Sequence, residues 1–238
     1  MIIDPHTILT PPQRMTGLPG TGDELIAAMD RAGVDLSCAY SRDHDYLAEA
    51  VEKYPDRLIG LAWTCVSDQG AVERLEYALS DLRFRGTKMN MPSALAALRS
   101  NAMMDQIYSL LVEHDAVMLT HSAEGDHLFS LPYQFEQVAR AFPRLKIIMA
   151  HIGAPDDCEE AIKVATWNEN VYLGSHAAPS SVIRLAVERA GAHKVLLGTD
   201  WPHESFEVEI KKIEMAVSDP ADRRLVLGEN ARRIFNLG

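Results

Sequence analysis

The chain is short of the features that mark secreted, membrane-bound and nucleic-acid-binding proteins. It has three cysteines, Cys38, Cys65 and Cys158, odd in number and far apart. That excludes a disulfide framework or a cysteine-rich zinc site and fits the reduced thiols of a cytoplasmic protein. No apolar run reaches the roughly 18 residues that a membrane span needs. The first residues, Met1-Ile-Ile-Asp4-Pro-His6, lack the basic start and long apolar run of a signal peptide. Positive charge is scarce, with 23 Lys and Arg against 34 Asp and Glu and a net charge of -11. Neither nucleic acid nor an anionic membrane is therefore expected as a partner. Low-complexity tracts and dividing linkers are missing too, so residues 1–238 read as one domain.

What is present is an alternation. Short apolar runs are followed, again and again, by longer segments with apolar residues on one helical face. Strands are expected at the start of the chain and at 34–40, 57–63, 85–90, 116–121, 145–151, 170–176 and 194–200. Helices are expected from Asp23 to a stop at Gly33, and at 46–54, 71–82, 93–98, 103–113, 133–141, 161–167, 180–190, 207–217 and 221–227. Strands buried on both faces read as continuous apolar runs, as parallel strands do. Eight such units in 238 residues predict a single α/β domain, a (β/α)8 TIM barrel at the small end of its size range. A doubly wound open sheet is the alternative, but its sites cluster at one switch point.

Polar residues end many of these strands. His6 closes the first, Lys88 and Asn90 the fourth, His121 the fifth and His151 the sixth. His176 follows the seventh, and Asp200 ends Lys194-Val-Leu-Leu-Gly-Thr-Asp200. A lone histidine at a strand end is more often structural than functional. Several at the same end of successive barrel strands reverse that inference, because those ends meet at one face. Imidazoles with one carboxylate suit zinc, and also manganese or iron. Arg42 and Lys88 are candidates to orient a substrate carboxylate, and Asn90, Trp63, His176 and Trp201 to line its pocket. Tyr40, Trp63 and Trp201 serve equally as an aromatic wall or as packing. His44, His114, His127 and His193 fall in loops or helices and are expected on solvated surface.

The motifs Ile3-Asp-Pro-His6, Tyr54-Pro-Asp-Arg57-Leu-Ile-Gly60, Arg85-Gly-Thr-Lys88 and Leu119-Thr-His121 come in a recognisable order. Phe142-Pro-Arg-Leu-Lys-Ile-Ile-Met-Ala-His151-Ile-Gly153, Leu197-Gly-Thr-Asp200-Trp-Pro-His203 and Asn230-Ala-Arg-Arg-Ile-Phe235 continue it. Over nearly its whole length the chain resembles the amidohydrolase superfamily, in the branch of aminocarboxymuconate-semialdehyde decarboxylase, γ-resorcylate decarboxylase and related lactone hydrolases. The resemblance implies His121 and Asp200 as metal ligands, His151 as acid or base beside the metal, and Lys88 facing substrate or metal. The first strand departs from the usual His-x-His. Either His6 is the first histidine and Ile8 replaces the second, or Asp4-Pro5-His6 occupies the pair and Asp4 is a further ligand. In both registers His6 is a ligand, and His176 is an outside candidate for a replacement.

The leading expectation is a metal-dependent hydrolase of a small carbonyl substrate such as a lactone. One divalent ion, zinc first and manganese second, is held by His6, His121 and Asp200 and activates water. His151, Asp200 and Lys88 carry the chemistry. The alternatives are a non-oxidative decarboxylase of a small aromatic or unsaturated acid, and a metal-free lactonase or isomerase, to which Ile8 leaves room. A non-catalytic binding barrel ranks last, because Lys88, His121, His151 and Asp200 are all retained. The partner is a small-molecule substrate, and self-association is left open.

Overall fold

A computed structural model describes residues 1–12, 17, 20–90, 102–122 and 131–238, with Asn90 described in its backbone only. The helix expected at 93–98, the side chain of Asn90 and His127 lie outside the described residues. Eight parallel strands run in chain order around one sheet. They are β1 Ile3–Ile8, β2 Leu36–Ser41, β3 Leu58–Cys65, β4 Gly86–Asn90, β5 Val117–His121, β6 Lys146–Ala150, β7 Val171–Gly174 and β8 Val195–Leu196. The helices between them are α1 Gly22–Ala32, α2 His44–Lys53, α3 Ala71–Ser80, α4 Ala102–Glu113, α5 Pro132–Ala141, α6 Cys158–Trp167, α7 Ser180–Ala190 and α8 Phe206–Ala216. Two short helices, α9 Pro220–Arg224 and α10 Asn230–Ile234, end the chain. The single (β/α)8 barrel predicted from the alternation is the observed fold. Among the described residues, no helix is long and apolar enough to cross a membrane.

The strands divide two cores by parity. Cys38, Tyr40, Leu61, Val117, Leu119, Ile148, Tyr172 and Leu196 fill the barrel interior. Ala39, Ala62, Met118, Ile147, Met149, Leu173, Val195 and Leu197 face the helical layer. Successive strand residues point to opposite faces, so these lists interleave along each strand. Ala231 and Ile234 of α10, with Phe235 just after it, join the interior cluster. Helix ends are set locally: Thr21 and Glu24 form a capping box at α1, and Gly33 ends it in the left-handed region.

β8 is shorter than the sequence predicts, and the reason is where its amides go. Leu197 donates to Val226 O at 2.8 Å, Gly198 to Ser175 Oγ at 3.2 Å, and Asp200 to His6 O at 3.0 Å. Each leaves the regular ladder after Leu196. β1 and the segment that follows β8 meet at one bridge, Thr7 to Trp201, with Ile8 N donating to Trp201 O at 2.8 Å. Asp4 reinforces this seam. It is fully buried, accepts from the His6 amide at 2.9 Å and the Thr199 amide at 3.3 Å, and takes the Thr199 hydroxyl on its other oxygen.

Candidate active site

The inward positions at the C-terminal end of the barrel bring four imidazoles together. The His6 ring lies 4.1 Å from that of His176, 6.4 Å from His151 and 6.5 Å from His121, centroid to centroid. His121 and His151 are 4.9 Å apart, and His151 and His176 5.5 Å. His6 Nε2 faces Asp200 Oδ1 at 3.3 Å and the Tyr40 hydroxyl at 3.3 Å. Lys88 is buried, with its Nζ 5.8 Å from the centre of the Tyr40 ring.

Backbone strain aims several of these groups. His151 (φ 66°), Ile152 (φ 51°), Ala177 (φ 50°) and Asp200 (φ 59°) all take left-handed conformations that side chains with a Cβ disfavour. His151, predicted as the last residue of its strand, instead opens a tight turn at 151–153. Ser122 steadies that turn, donating to Ala150 O at 2.7 Å and accepting from Gly153 N at 3.1 Å. His151 Nδ1 lies 3.1 Å from His176 O. A carbonyl only accepts, so in the neutral ring the proton sits on Nδ1 and Nε2 keeps the lone pair.

Burial dominates the electrostatics. Desolvation holds His6 well below the usual histidine range, and the cationic forms of His176, Lys88, His151 and His121 push the same way. His176 is likewise depressed by desolvation, then by His151 and Lys88. The Tyr40 phenol is pushed well up by burial and by Asp200. Burial also raises Asp4 to about 7 against its three hydrogen bonds.

The pair His6–Asp200 suits a divalent ion. Two donors at about 2.0–2.2 Å from one metal stand about 3.0–3.5 Å apart at octahedral to tetrahedral angles. Among the described residues, no three His, Cys, Asp or Glu side chains are gathered tightly enough to enclose an ion. His121 therefore completes the predicted set only by a side-chain shift. The carboxylate of Asp4, the alternative ligand of the first strand, is bonded to Thr199 and the His6 amide and lies near enough to Asp200 to feel its charge.

On the side of Tyr40, whose hydroxyl faces His6, lies a cavity of about 340 Å³ bordered by Ile8, Tyr40, Arg42 and Trp63, while His151 and His176 border a separate one of about 290 Å³. Tyr40 and Trp63 stack at 5.6 Å and 22°, and the Arg42 guanidinium sits 5.1 Å from the Trp63 ring centre. Trp201 is elsewhere: it is buried in the outer apolar layer against Phe206, 6.5 Å away. His44, expected on solvated surface, is half-buried and accepts the Trp63 amide on Nε2 at 2.9 Å. Sequence reasoning missed it because the contact joins positions 19 residues apart. It also missed Glu209, whose carboxylate is sealed under the loop after β7 with Ala177 N beside it. The spacing Phe206, Glu209, Ile213, Ala216 on one face of α8 carries that signal.

Several known proteins are similar to this chain in sequence or in fold. γ-Resorcylate decarboxylase from a Polaromonas species is 25% identical over 246 residues, covering 82% of this chain and 76% of that one. The structure of 5-carboxyvanillate decarboxylase from Sphingomonas paucimobilis superposes with a TM-score of 0.81 at 16% identity, over 100% of this chain and 99% of the other. Dihydroxybenzoic acid decarboxylase from Polaromonas, solved with manganese and the inhibitor 2-nitroresorcinol, gives 0.78 at 20% identity, over 99% and 97%. The sequence profile of the amidohydrolase family matches residues 11–237, which takes in every strand of the barrel but the first. With strand-end histidines, Lys88 and Asp200 converging on one barrel face, this chain is an enzyme of the amidohydrolase family.

Proposed function

We propose that the protein is a metal-dependent, non-oxidative decarboxylase of small hydroxylated aromatic acids. The observation that carries this reading is the pocket. A cavity bordered by the stacked Tyr40 and Trp63, with Arg42 at its rim, meets the His6–Asp200 pair through Tyr40, whose hydroxyl lies 3.3 Å from His6 Nε2. A planar ring fits such a wall, and Arg42 or Lys88 offers a cation to a carboxylate. The decarboxylase names and the manganese of the relatives support the same choice over the lactone hydrolase expected first. They also favour manganese at least as much as zinc.

His6 and Asp200 hold the ion, with His121 as the third ligand. A bound divalent ion polarises the acid's oxygens and anchors them as a Lewis acid. The chain's own groups do the rest. Tyr40 and Trp63 hold the ring, and Lys88 neutralises charge at the buried end of the pocket. His151, protonated on Nε2 with Nδ1–H held by the His176 carbonyl, gives its proton to the ring carbon that bears the carboxylate. The carbon–carbon bond then breaks, its electrons restore the aromatic ring, and carbon dioxide leaves.

The test is a panel of 2,6-dihydroxybenzoate, 5-carboxyvanillate and small lactones, assayed with manganese-loaded and chelated enzyme. Carbon dioxide release from an aromatic acid, abolished by chelation and by Asp200→Asn, is the expected result. Trp63→Ala should raise KM about tenfold or more, the loss of one aromatic contact of roughly 1.5 kcal/mol. Acid release from a lactone without carbon dioxide from any aromatic acid would return the hydrolase reading.

A further inference from the structure

The His176 carbonyl holds His151, and its side chain is not called for by the metal set or by the proton transfer, yet it is built into the centre of the barrel. Its side chain is fully buried, and neither ring nitrogen makes a well-formed hydrogen bond among the described residues, although the Gly174 backbone lies close enough to favour one ring N–H and leave the other nitrogen an acceptor. The space it occupies is made by two glycines. A Cβ at Gly174 or at Gly198 would overlap the His176 ring, so β7 and the segment after β8 both yield room to it. The ring rests edge-on against His6, with centroids 4.1 Å apart and planes at 71°.

His6 has the complementary deficiency. Its Nε2 is turned to Asp200 and Tyr40, so the proton of the neutral ring belongs on Nδ1 if Nε2 is to bind a metal. That Nδ1 is buried and has no hydrogen-bond partner among the described residues. A histidine that ligates a metal nearly always gives its other N–H to an acceptor, which fixes tautomer and ring orientation. Neutral imidazole carries one donor and one acceptor nitrogen. Of the aromatic and imidazole rings around His6, that of His176 lies nearest, ahead of Tyr40 at 5.4 Å, His151 at 6.4 Å and His121 at 6.5 Å.

We propose that His176 is the positioning residue of the metal centre, accepting the Nδ1–H of His6 and so presenting His6 Nε2 to the ion beside Asp200. This inference rests on the metal reading above and goes beyond it, because it assigns a role to a residue outside the ligand set. It also gives Gly174 and Gly198 a purpose, as the two walls of the slot that keeps the His176 ring against His6.

Equilibrium dialysis of chelated protein against manganese tests it, with circular dichroism confirming the fold of each variant. His176→Leu fills the slot without an acceptor and should loosen manganese about 10- to 100-fold. His176→Asn restores an acceptor and should recover most of that loss, which a merely structural role would not predict. Gly198→Ala alters no polar atom but displaces the ring, and should loosen the metal in the same range. It carries the test alone if His176→Leu does not fold. Wild-type affinity in His176→Leu or in Gly198→Ala, or an asparagine variant no better than leucine, overturns the proposal. His6→Ala separates the two levels. If wild type binds manganese and His6→Ala does not, an unaffected His176→Leu refutes this inference alone. If wild type takes up no manganese, the metal reading and this inference fall together.

Discussion

Asp4 offers a sharp test of how the barrel seam is held. It is fully buried where β1 meets the segment that follows β8, and burial raises its pKa from 3.8 to about 7. The sign follows from proton binding. Between these values the unfolded chain has released the proton and the folded chain still holds it, so stability falls as pH rises. The slope is about 1.4 kcal/mol per pH unit, and the shift of about 3 units gives a loss of ~4 kcal/mol that is complete above pH 7. Asp4→Asn keeps the shape and an acceptor for the His6 and Thr199 amides but has no charge to bury. In chelated protein, urea denaturation of both forms from pH 5 to pH 8 should show the asparagine variant gaining on wild type by about 1.4 kcal/mol per unit up to pH 7, then running parallel. Curves parallel throughout that range would mean that Asp4 ionises normally and that its burial between Thr199 and His6 is misjudged.

Glu209 should behave in the same direction. Burial raises it from 4.5 to about 7, with Lys212 at 2.7 Å partly opposing. Glu209→Gln should therefore gain about 2 kcal/mol on wild type between pH 5 and pH 8, less than the full shift because Lys212 remains solvated. Thermal melts at the two pH values measure it, and an equal difference at both would contradict it. Asn170 tests the opposite end of the barrel. Its Nδ2 reaches Phe142 O at 3.1 Å and Leu145 O at 2.8 Å, tying the approach to β6 to the start of β7. Asn170→Ala should lower stability by about 2 kcal/mol, or roughly 4–8 °C in Tm for a chain of this size, with kcat unchanged.

Most strands were legible because burial on both faces leaves an apolar signature, and helices because their period differs, whereas the polar Gly86–Asn90 was legible only from its place in the alternation. The limits of legibility are specific. Lys194 to Asp200 reads as one strand, yet its ladder stops at Leu196 because Leu197, Gly198 and Asp200 send their amides to a following helix, a serine and β1. Parity alone would have placed Trp201 outside, since Leu196 faces the interior and alternate positions follow it. Its place beside an acid suggested an aromatic wall instead. Tyr40 and Trp63 do share the interior, two residues apart in register across β2 and β3. His44 and Ser122 were illegible because their value lies in single contacts across the fold, to the Trp63 amide and to Ala150 O. Glu209 was legible in principle, an acid at a buried helical position, but a charge on an otherwise amphipathic helix is usually solvated.

The departure at Ile8 is best understood together with the seam. β1 carries two tasks, closing the barrel against the segment that follows β8 and offering donors to the site. Asp4 serves the first, with its carboxylate bound to Thr199 and the His6 amide, and this leaves His6 as the inward donor of the strand. Ile8 then lies beside the aromatic slot with Tyr40, Arg42 and Trp63. An imidazole there would present a polar edge to a bound ring, whereas isoleucine presents hydrocarbon and needs no partner when covered. On the proposed function, the strand thus yields one donor and gains apolar contact for a planar substrate. Such a centre depends more heavily on the orientation of the histidine it retains, and His176 lies against that ring.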